Sequence, residues 1–265
     1  MSSNMNSILT IDVGNTNVTC ALFKGARISK KWRISTADCV SAAAIVKSLR
    51  AKAGKRAIDG VCIASVVPRL DRLFGRACKR AFGIAPLFAT CNTIPMRIKN
   101  YDRAQLGADR LVAAYAAYQR YQKPVIVIDA GTAITIDLVN ARGEFAGGAI
   151  VPGLATAAAS LHATTAKLPL VKPHATMRTI GRNTREAINS GVVRGYAGLV
   201  DSLVRSIAKQ SRGKPLVIAT GGDAIILRRA CRTIRCVDLD LIHNGLQLLW
   251  ENLLLPSKGR DGDAR

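Results

Sequence analysis

The chain has 265 residues, of which 49% are apolar, so it can bury one large or two small hydrophobic cores, and extensive disorder is excluded. Its 39 lysines and arginines against 17 acidic residues give a net charge of +22, an excess that attracts polyanions such as nucleic acid, anionic lipid or phosphorylated small molecules. Aromatic residues make up only 5%, too few for a stacking platform that binds single strands. Nucleic acid is therefore not the expected partner, although the charge of +22 does not exclude it.

The N-terminus and the cysteines indicate a compartment. Residues 1–7 are polar and lack the apolar core of a signal peptide. No uninterrupted apolar run reaches the roughly 18 residues that a membrane helix needs. The seven cysteines show no Cys-x-x-Cys spacing, and three separated histidines complete no zinc-site pattern. We expect a soluble cytoplasmic protein with reduced thiols and no membrane partner.

The N-terminal segment has the pattern of a β-hairpin with an acidic turn. An apolar run beginning at Ile8 leads into Asp12-Val-Gly14-Asn15-Thr16, and a second apolar run returns as far as Phe23. A carboxylate beside glycine is costly in a core, whereas glycine lets anions or metals approach the backbone. The turn therefore indicates a site.

After a glycine turn and a third strand, helices and strands alternate. The pattern predicts helices over 40–52, 68–82 and 107–121, and strands over 59–67 and 85–90. Pro68 is suited to the first turn of its helix, and Gly54 ends the helix before it. The first half therefore reads β-β-β-α-β-α-β-α.

The second half repeats this order. The apolar run 125–128 leads into Asp129-Ala-Gly131-Thr132, and two further strands follow. The remaining predicted elements are helices 154–166 and 183–210, strand 215–220, a short helix after Gly221-Gly222, strand 233–237 and helix 240–255. The tail from residue 256 onward is expected to fray.

The two acidic turns are related by a constant spacing. Asp12 and Asp129 lie 117 residues apart, and so do Gly14 and Gly131. Such a repeat suggests two related halves, each offering an aspartate-bearing turn to a shared cleft. Three strands followed by alternating helices and strands, twice over, predict a two-domain α/β fold.

The motifs that are missing narrow the chemistry. The chain lacks the nucleotide P-loop, the Gly-x-Gly-x-x-Gly dinucleotide fingerprint after a strand and the Gly-x-Ser-x-Gly nucleophile elbow. What remains is Asp12, Asp109 and Asp129, each close to glycine at a predicted turn or helix start. Phosphoryl transfer needs metal-binding carboxylates, backbone amides for phosphate oxygens and a base for the attacking hydroxyl. These residues favour that chemistry.

The motifs occur together in a characteristic order: Asp12-Val-Gly14-Asn15-Thr16, Gly107-Ala-Asp109-Arg110, Asp129-Ala-Gly131-Thr132-Ala133-Ile-Thr135-Ile-Asp137, Gly147-Gly148 with Pro152-Gly153, Gly181-Arg-Asn183-Thr184 and Thr220-Gly221-Gly222. Over residues 8–250 the chain resembles the type III pantothenate kinase family, in the acetate and sugar kinase, heat-shock chaperone and actin superfamily. The resemblance implies an α/β fold of two duplicated ribonuclease-H-like domains of βββαβαβα type, residues 1–118 and 119–265, with the active-site cleft between them. It implies ATP-dependent phosphorylation of pantothenate to 4'-phosphopantothenate, the first step of coenzyme A biosynthesis.

The resemblance also implies the residues that hold ATP and its cations. The implied nucleotide-binding residues are Asp12, Val13, Gly14, Asn15, Thr16, Asn17, Val18, Thr19 and Thr132. Asp12 would lie near Mg²⁺, with water between them. Asp129 would bind a monovalent cation, K⁺ or NH₄⁺.

The pantothenate site follows from the same resemblance. Its implied residues are Tyr101, Gly107, Ala108, Asp109, Arg110 and Thr184. Asp109 would be the base for the primary hydroxyl, and Arg110 would pair with the carboxylate of pantothenate. The stretch Tyr101-Asp-Arg-Ala-Gln-Leu lacks the family's usual proline. The family usually forms a dimer with this pocket at the interface, so a homodimer is expected.

Other interpretations stay open on the residues alone. Asp109 would also suit a first helical turn without any catalytic role, and Asn183 with Thr184 would suit a helix cap. Asp137 is expected on the open face of a hairpin, and the histidines are expected to be structural or solvated: His162, His174 and His243. The alternative functions are a transcriptional accessory or nucleic-acid-binding protein without kinase activity, and a metal-dependent nuclease, which needs more clustered acids than this chain offers.

Overall fold

The computed structural model of the chain describes residues 7–54, 56–211 and 213–254. Its first half contains β1 Ser7–Val13, β2 Asn17–Lys24, β3 Arg27–Ser35, a short 3₁₀ helix Thr36–Asp38, α1 Ala42–Ala53, β4 Gly60–Ser65, α2 Pro68–Phe82, β5 Leu87–Phe88 and α3 Ala108–Tyr121. Its second half contains β6 Val125–Ala130, β7 Ala133–Val139, β8 Phe145–Pro152, α4 Leu154–Thr164, α5 Thr184–Gln210, β9 Leu216–Thr220, α6 Ala224–Ala230, β10 Cys236–Val237 and α7 Leu241–Leu254. The predicted order of elements is confirmed in both halves, and the predicted tail from residue 256 lies outside the described residues.

Two five-stranded sheets have the same strand order. The first runs β3-β2-β1-β4-β5, and the second, written in the matching direction, runs β8-β7-β6-β9-β10. In each sheet the first three strands pair antiparallel, and the remaining two join them in parallel. The predicted α/β class with a duplicated half is confirmed by this matching order.

The two outermost parallel strands are shorter than the sequence pattern predicts. The predicted strand 85–90 is reduced to β5, and the predicted strand 233–237 is reduced to β10, each with two residues. Both lie at the end of a sheet, where a strand has a ladder partner on one side. Edge position alone does not shorten a strand, since β3 and β8 also lie at sheet ends and have nine and eight residues. What β5 and β10 share is a ladder of two residue pairs with the parallel strand beside them.

The described residues fall into two compact units. The first is drawn from Met1–Ile94, Gly107–Val112 and Ile242–Arg265, and the second from Pro95–Leu106 and Ala113–Leu241. The predicted division of the chain between residues 118 and 119 stays a prediction. None of the described helices combines the length and the apolar character that a membrane span requires.

Strand β1 of the first unit is covered on both faces. On one face Leu9 and Ile11 belong to a core that includes Phe74 of α2, and on the other face Ile8 packs in a cluster with Trp250 of α7. Four consecutive residues of β1 are buried before Asp12, which is partly exposed. Asp12 is therefore the first partly exposed residue after this buried stretch.

Strand β6 of the second unit has the same character. Its residues Val125 to Ile128 are buried, and Asp129 is the first partly exposed residue. Ile126 and Ile128 join a core that includes Val200 of α5. Strands covered on both faces are mostly apolar, which explains why the first charged residue of each, Asp12 in β1 and Asp129 in β6, is informative.

Candidate active site

The first acidic turn lies at the carboxyl end of a central strand. Asp12 pairs with Thr19 of β2 on one side and with Ala64 of β4 on the other. The Gly14 N–H donates to the Asn17 carbonyl oxygen at 3.0 Å and closes the turn. In sheets with parallel strands, ligands bind at the carboxyl ends, so this position suits a nucleotide phosphate.

Thr36 of the 3₁₀ helix holds this turn in shape. Its hydroxyl donates to the Gly14 carbonyl oxygen at 2.7 Å, and its N–H donates to the Thr16 carbonyl oxygen at 3.1 Å. Because the Gly14 and Thr16 carbonyl oxygens both accept from Thr36, a residue outside the turn restrains its backbone. Thr36 could not be identified from the sequence, because it lies 22 residues from Gly14 and belongs to no motif.

The Gly-x-Asp-Arg motif forms the start of α3. Asp109 stands in the first turn, and its Oδ1 accepts the Arg110 N–H at 2.7 Å. A Cβ on Gly107 would lie 2.5 Å from Asp109 Oδ1, so glycine is needed for this side-chain position. Arg110 is only 7% exposed. A carboxylate and a buried arginine therefore occupy adjacent positions at a helix N-terminus.

The second acidic turn lies at the carboxyl end of β6. Asp129 pairs with Thr135 of β7 and with Thr220 of β9, and the Gly131 N–H donates to the Ala133 carbonyl oxygen at 2.9 Å. Gly221 has a φ of 88°, and a Cβ there would overlap Asp129 Oδ1 and lie 2.5 Å from the Ala130 carbonyl oxygen. Two oxygens thus converge on a space that only glycine leaves open.

The loop after Asp129 is fixed by the chain entering α4. The Thr132 carbonyl oxygen accepts the Gly153 N–H at 2.9 Å and the Thr156 hydroxyl at 2.7 Å. A Cβ on Gly153 would overlap the Gly131 carbonyl oxygen. Pro152-Gly153 is therefore a packing requirement of the loop that carries Thr132.

Tyr101 is held against β8. Its ring meets Phe145 edge to face, with centroids 5.6 Å apart and an interplanar angle of 87°. A Cβ on Gly147, whose φ is 89°, would lie 3.2 Å from Tyr101 Cδ2. Tyr101 is therefore held in place even though no proline follows it before Gly107, and Gly147 makes room for its ring.

Thr184 is the first residue of α5, after an asparagine cap. Asn183 Oδ1 accepts the Glu186 N–H at 3.0 Å, and Glu186 Oε1 accepts from Asn183 Nδ2 at 3.2 Å. Backbone donation from Arg182, together with Arg178, lowers the pKa of Glu186. Asparagine thus supplies the reciprocal cap that the sequence lacks in its serine or threonine form.

Thr184 also lines an open groove between α4 and α5. The groove has a volume of ≈ 530 Å³ and is lined by Ala157, Ser160, Leu161, Leu168, Thr184, Ala187, Ile188, Gly191, Val192 and Tyr196. Its walls are mostly apolar. The cap and the groove do not exclude each other, since the Asn183 side chain makes the cap and Thr184 lines the groove.

Asp12 and Asp129 could each supply part of a cation's ligands, with the phosphates of a substrate supplying the rest. Among the described residues no group of three or more histidine, cysteine, aspartate or glutamate side chains could hold a metal ion. Mg²⁺ at phosphoryl-transfer sites keeps several waters and uses one or two carboxylates together with phosphates. The single carboxylate of Asp12 fits this pattern, and the oxygens of Asp129 and Ala130 around Gly221 suit a hard cation.

One expectation about a neighbouring residue, the placement of Asp137, needs correction. Asp137 is buried at 2% exposure rather than lying on an open hairpin face, and a Cβ on its partner Gly148 would lie 2.5 Å from Asp137 Oδ1. The alternating pattern placed Asp137 on one face of β7, but could not show that this face is covered. His243 is buried as well, whereas His162 and His174 are exposed.

Comparison with known proteins decides the family. A model of the type III pantothenate kinase family matches residues 8–206. The chain belongs to the type III pantothenate kinase family. A type III pantothenate kinase of Desulfatibacillum aliphaticivorans is 38% identical over 255 residues, covering 93% of this chain and 98% of that protein. One from Pelobacter propionicus is 38% identical over 250 residues, covering 92% and 98%.

Solved structures agree on the fold of this type III pantothenate kinase family member. A Campylobacter jejuni protein assigned to the Baf family of transcriptional activators is 20% identical, with a TM-score of 0.62 over 92% of this chain and 98% of that one. Component A of the (R)-2-hydroxyglutaryl-CoA dehydratase of Acidaminococcus fermentans is 17% identical, with a TM-score of 0.53 over 91% and 95%. At these identities the likeness shows the fold alone.

Family membership confirms the predicted class of enzyme, a pantothenate kinase and thus a transferase, acting in coenzyme A biosynthesis with ATP. The transcriptional or nucleic-acid-binding alternative is not favoured. The roles of individual residues and the identity of the cations stay predictions.

Proposed function

We propose that the chain transfers the γ-phosphoryl group of ATP to the primary hydroxyl of pantothenate, with Asp109 as the base. The observation that carries this assignment is the start of α3, where the Asp109 carboxylate stands over Gly107 beside the buried Arg110. The hydroxyl oxygen attacks the γ-phosphorus, the bond to the β-γ bridging oxygen breaks, ADP leaves, and the hydroxyl proton passes to Asp109. A loose transition state requires proton removal late, so an ordinary carboxylate suffices.

Arg110 is the candidate partner for the carboxylate of pantothenate. A buried guanidinium offers a fork of N–H donors that matches a carboxylate in two parallel hydrogen bonds. The phenol of Tyr101 is a second candidate contact. Its ring is restrained by Phe145 and Gly147, so little side-chain entropy remains to be lost on binding.

The two turns are the candidate phosphate loops. Backbone amides and hydroxyls of 12–19, and Thr132 in the second turn, would hold the phosphates of ATP. Asp12 would orient water molecules around Mg²⁺, and Asp129 would bind K⁺ or NH₄⁺. Bound cations would neutralise the phosphate charge, while the chain itself binds and orients the nucleotide.

A coupled ADP-release assay with ATP, Mg²⁺ and K⁺, with and without pantothenate, tests the reaction. Turnover should require pantothenate, and it should fall when Na⁺ replaces K⁺. Asp109→Asn should lower kcat by about 10²- to 10⁴-fold, the usual contribution of a general base. Asp38→Asn, an exposed acid outside both turns, is the matched control and should behave as the parent chain. Robust turnover in Asp109→Asn would refute the base assignment and leave the kinase intact.

A homodimer is proposed through the face that carries the α4–α5 groove. Besides the apolar groove, the surrounding chain exposes four large apolar side chains: Leu161, Leu170, Met177 and Ile180. Concentrated apolar exposure is typical of an interaction surface. Since Thr184 lines the groove, burial of this face would also complete a pantothenate contact.

Sedimentation at several concentrations tests the dimer. Leu161→Glu should give a monomer and raise the KM for pantothenate. Ile225→Glu, at an exposed apolar position on α6, is the control and should remain dimeric. A monomeric parent chain would overturn the proposal. We place the enzyme in the cytoplasm, where ATP is available and where the seven cysteines would stay reduced thiols.

A further inference from the structure

A buried histidine outside all the motifs contacts the strand pair that carries Asp12. His243 is the third residue of α7 and is 3% exposed. Its Nδ1 lies 2.9 Å from the Thr10 hydroxyl oxygen, and its Nε2 lies 3.1 Å from the Thr19 hydroxyl oxygen. Thr19 Oγ1 in turn lies 3.5 Å from Asp12 Oδ2. The imidazole therefore bridges two threonines, one of which contacts the proposed metal-side carboxylate.

The ladder explains why these residues share one face. Thr10 pairs with Ala21 and Asp12 pairs with Thr19, so their side chains lie on the same side of the first sheet. Helix α7 covers this face, with Trp250 packed on Ile8. His243 precedes Trp250 by seven residues, about two helical turns, and so reaches the end of the face where Asp12 lies.

For an uncharged His243 ring, the number of hydrogens leaves two arrangements. Each threonine hydroxyl has one hydrogen, and a neutral imidazole has one N–H. If Nδ1 carries the hydrogen, it donates to Thr10, Thr10 donates to the Ala21 carbonyl oxygen at 3.3 Å, and Thr19 donates to Nε2. Thr19 then has no hydrogen for Asp12.

The other tautomer gives a chain of donors that ends on the carboxylate. Thr10 then donates to Nδ1, the Nε2–H donates to Thr19, and the Thr19 hydroxyl donates to Asp12. In this arrangement the Thr10 hydroxyl does not donate to the Ala21 carbonyl oxygen.

The ladder decides between the two. The Gly14 N–H bonds the Asn17 carbonyl oxygen, and bonded pairs alternate along an antiparallel ladder, so Thr10 and Ala21 are a bonded pair. The Ala21 carbonyl oxygen therefore has a backbone donor already. A carboxylate gains more from a hydroxyl donor than a carbonyl oxygen that is already bonded, because charge-assisted hydrogen bonds are stronger.

We propose that His243 is a positioning residue of the first phosphate loop: with its hydrogen on Nε2 it donates to Thr19 and directs the Thr19 hydroxyl to Asp12. The inference rests on the proposed function in one respect, the role of Asp12 beside Mg²⁺. His243 itself touches neither substrate nor phosphate. Its effect is to hold one carboxylate oxygen, so that the orientation of Asp12 is set before the nucleotide binds.

A spectroscopic measurement tests the tautomer without any turnover. Two-bond ¹⁵N–¹H correlation spectra of the imidazole rings distinguish Nε2–H from Nδ1–H, and the chain has only three histidines to assign. His243 should show the Nε2–H pattern in the parent chain, and Thr19→Val should change its Nε2 shift. An Nδ1–H pattern would overturn the proposal. A chain inactive toward pantothenate but with the Nε2–H pattern would refute the proposed function alone.

The Mg²⁺ dependence of turnover tests the consequence. His243→Leu and Thr19→Val should each raise the Mg²⁺ concentration for half-maximal turnover by about three- to tenfold, the effect of one lost hydrogen bond. The double variant should show no more than the larger single effect, because both remove one chain of donors. His243→Gln, whose amide can donate from the Nε2 position, should recover most of the loss. Equal Mg²⁺ requirements in all variants, or additive losses, would overturn the positioning role, and calorimetric binding of Mg²⁺ with ATP supplies the same comparison if turnover is absent.

Discussion

Gly153 packs so closely on Gly131 that a Cβ on Gly153 would overlap the Gly131 carbonyl oxygen. The Gly153 N–H also donates to the neighbouring Thr132 carbonyl oxygen at 2.9 Å. The conformation of the second acidic turn, the proposed second phosphate loop, is therefore set by the residue that precedes α4, more than 20 residues later in the chain. Because the overlap is with backbone, a side chain on Gly153 cannot be accommodated by a rotamer change.

Gly153→Ala should therefore displace the loop that carries Thr132. The φ of Gly153 is −70°, which alanine adopts without strain, so any loss comes from the overlap. We expect a loss of about 1–3 kcal/mol in the free energy of unfolding, as for other overpacked sites, and a higher KM for ATP. Gly198→Ala is the matched control: Gly198 lies in α5 with no atom near its Cβ position, and alanine there should stabilise by about 0.5–1 kcal/mol. Equal unfolding curves for the two variants would contradict the packing argument.

Gly221 and Gly222 stand side by side but should respond differently to alanine. Gly221 has a positive φ of 88° and a Cβ position occupied by Asp129 Oδ1, whereas nothing lies within 4 Å of a Cβ on Gly222. Gly221→Ala should cost about 1–3 kcal/mol from backbone strain and should raise the K⁺ concentration for half-maximal turnover. Thermal unfolding of Gly222→Ala supplies the stability reference. A normal K⁺ response in Gly221→Ala would argue against the cation role of Asp129.

Because the pKa of Asp201 in α5 is lowered by its hydrogen bonds, the free energy of unfolding of the second unit should depend on pH. Burial by itself raises the pKa of its carboxyl, but donation from Thr233 and from the Arg232 and Thr233 amides outweighs burial, and the pKa is lowered. A lowered pKa in the folded state stabilises above the unfolded pKa of about 3.9, and this stabilisation is lost as pH falls through the folded pKa.

Asp201→Asn should therefore lower the free energy of unfolding by about 2 kcal/mol at pH 7, the scale of hydrogen bonds to a charged group. The difference from the parent chain should shrink as pH falls below about 4, because the Asp201 carboxyl then takes up a proton in the unfolded chain before it does so in the folded one. Urea unfolding at a series of pH values measures both. A difference that stays constant down to pH 2 would contradict the linkage.

The seven cysteines should divide into two classes of reactivity. Five are buried, and Cys91 and Cys236 are partly exposed. Burial raises the pKa of the Cys62, Cys78 and Cys231 thiols to about 12, so almost no reactive thiolate exists at pH 8. Alkylation followed by mass spectrometry should therefore label Cys91 and Cys236 first, and all seven only in denaturant. Early labelling of Cys62 would show that the first core opens readily.

Elements whose ends are set by their own residues were predicted more accurately than elements whose ends depend on neighbouring strands. The helix α2 was predicted from Pro68 to about Phe82 and spans those residues, because proline at the start acts on its own backbone. The structure adds Gly83, in the left-handed conformation, after its end. The equivalence of Asp12 and Asp129, each at the carboxyl end of the central strand of its own sheet, was predictable because the duplication preserved a spacing. Strands β5 and β10 were predicted too long, since the length of their ladders with β4 and β9 is set by the sheet and leaves no signal in the segment itself.

The sequence by itself determined the order of the elements, the family and the glycine-bounded turns, because hydrophobic period, turn chemistry and motif spacing act along the chain. Only the tertiary structure decided which atoms support those turns. Thr36 on Gly14, Gly153 on Gly131 and His243 on Thr19 join residues far apart in sequence. Such contacts depend on which faces the sheets and helices bring together, and the local sequence around each residue does not indicate them.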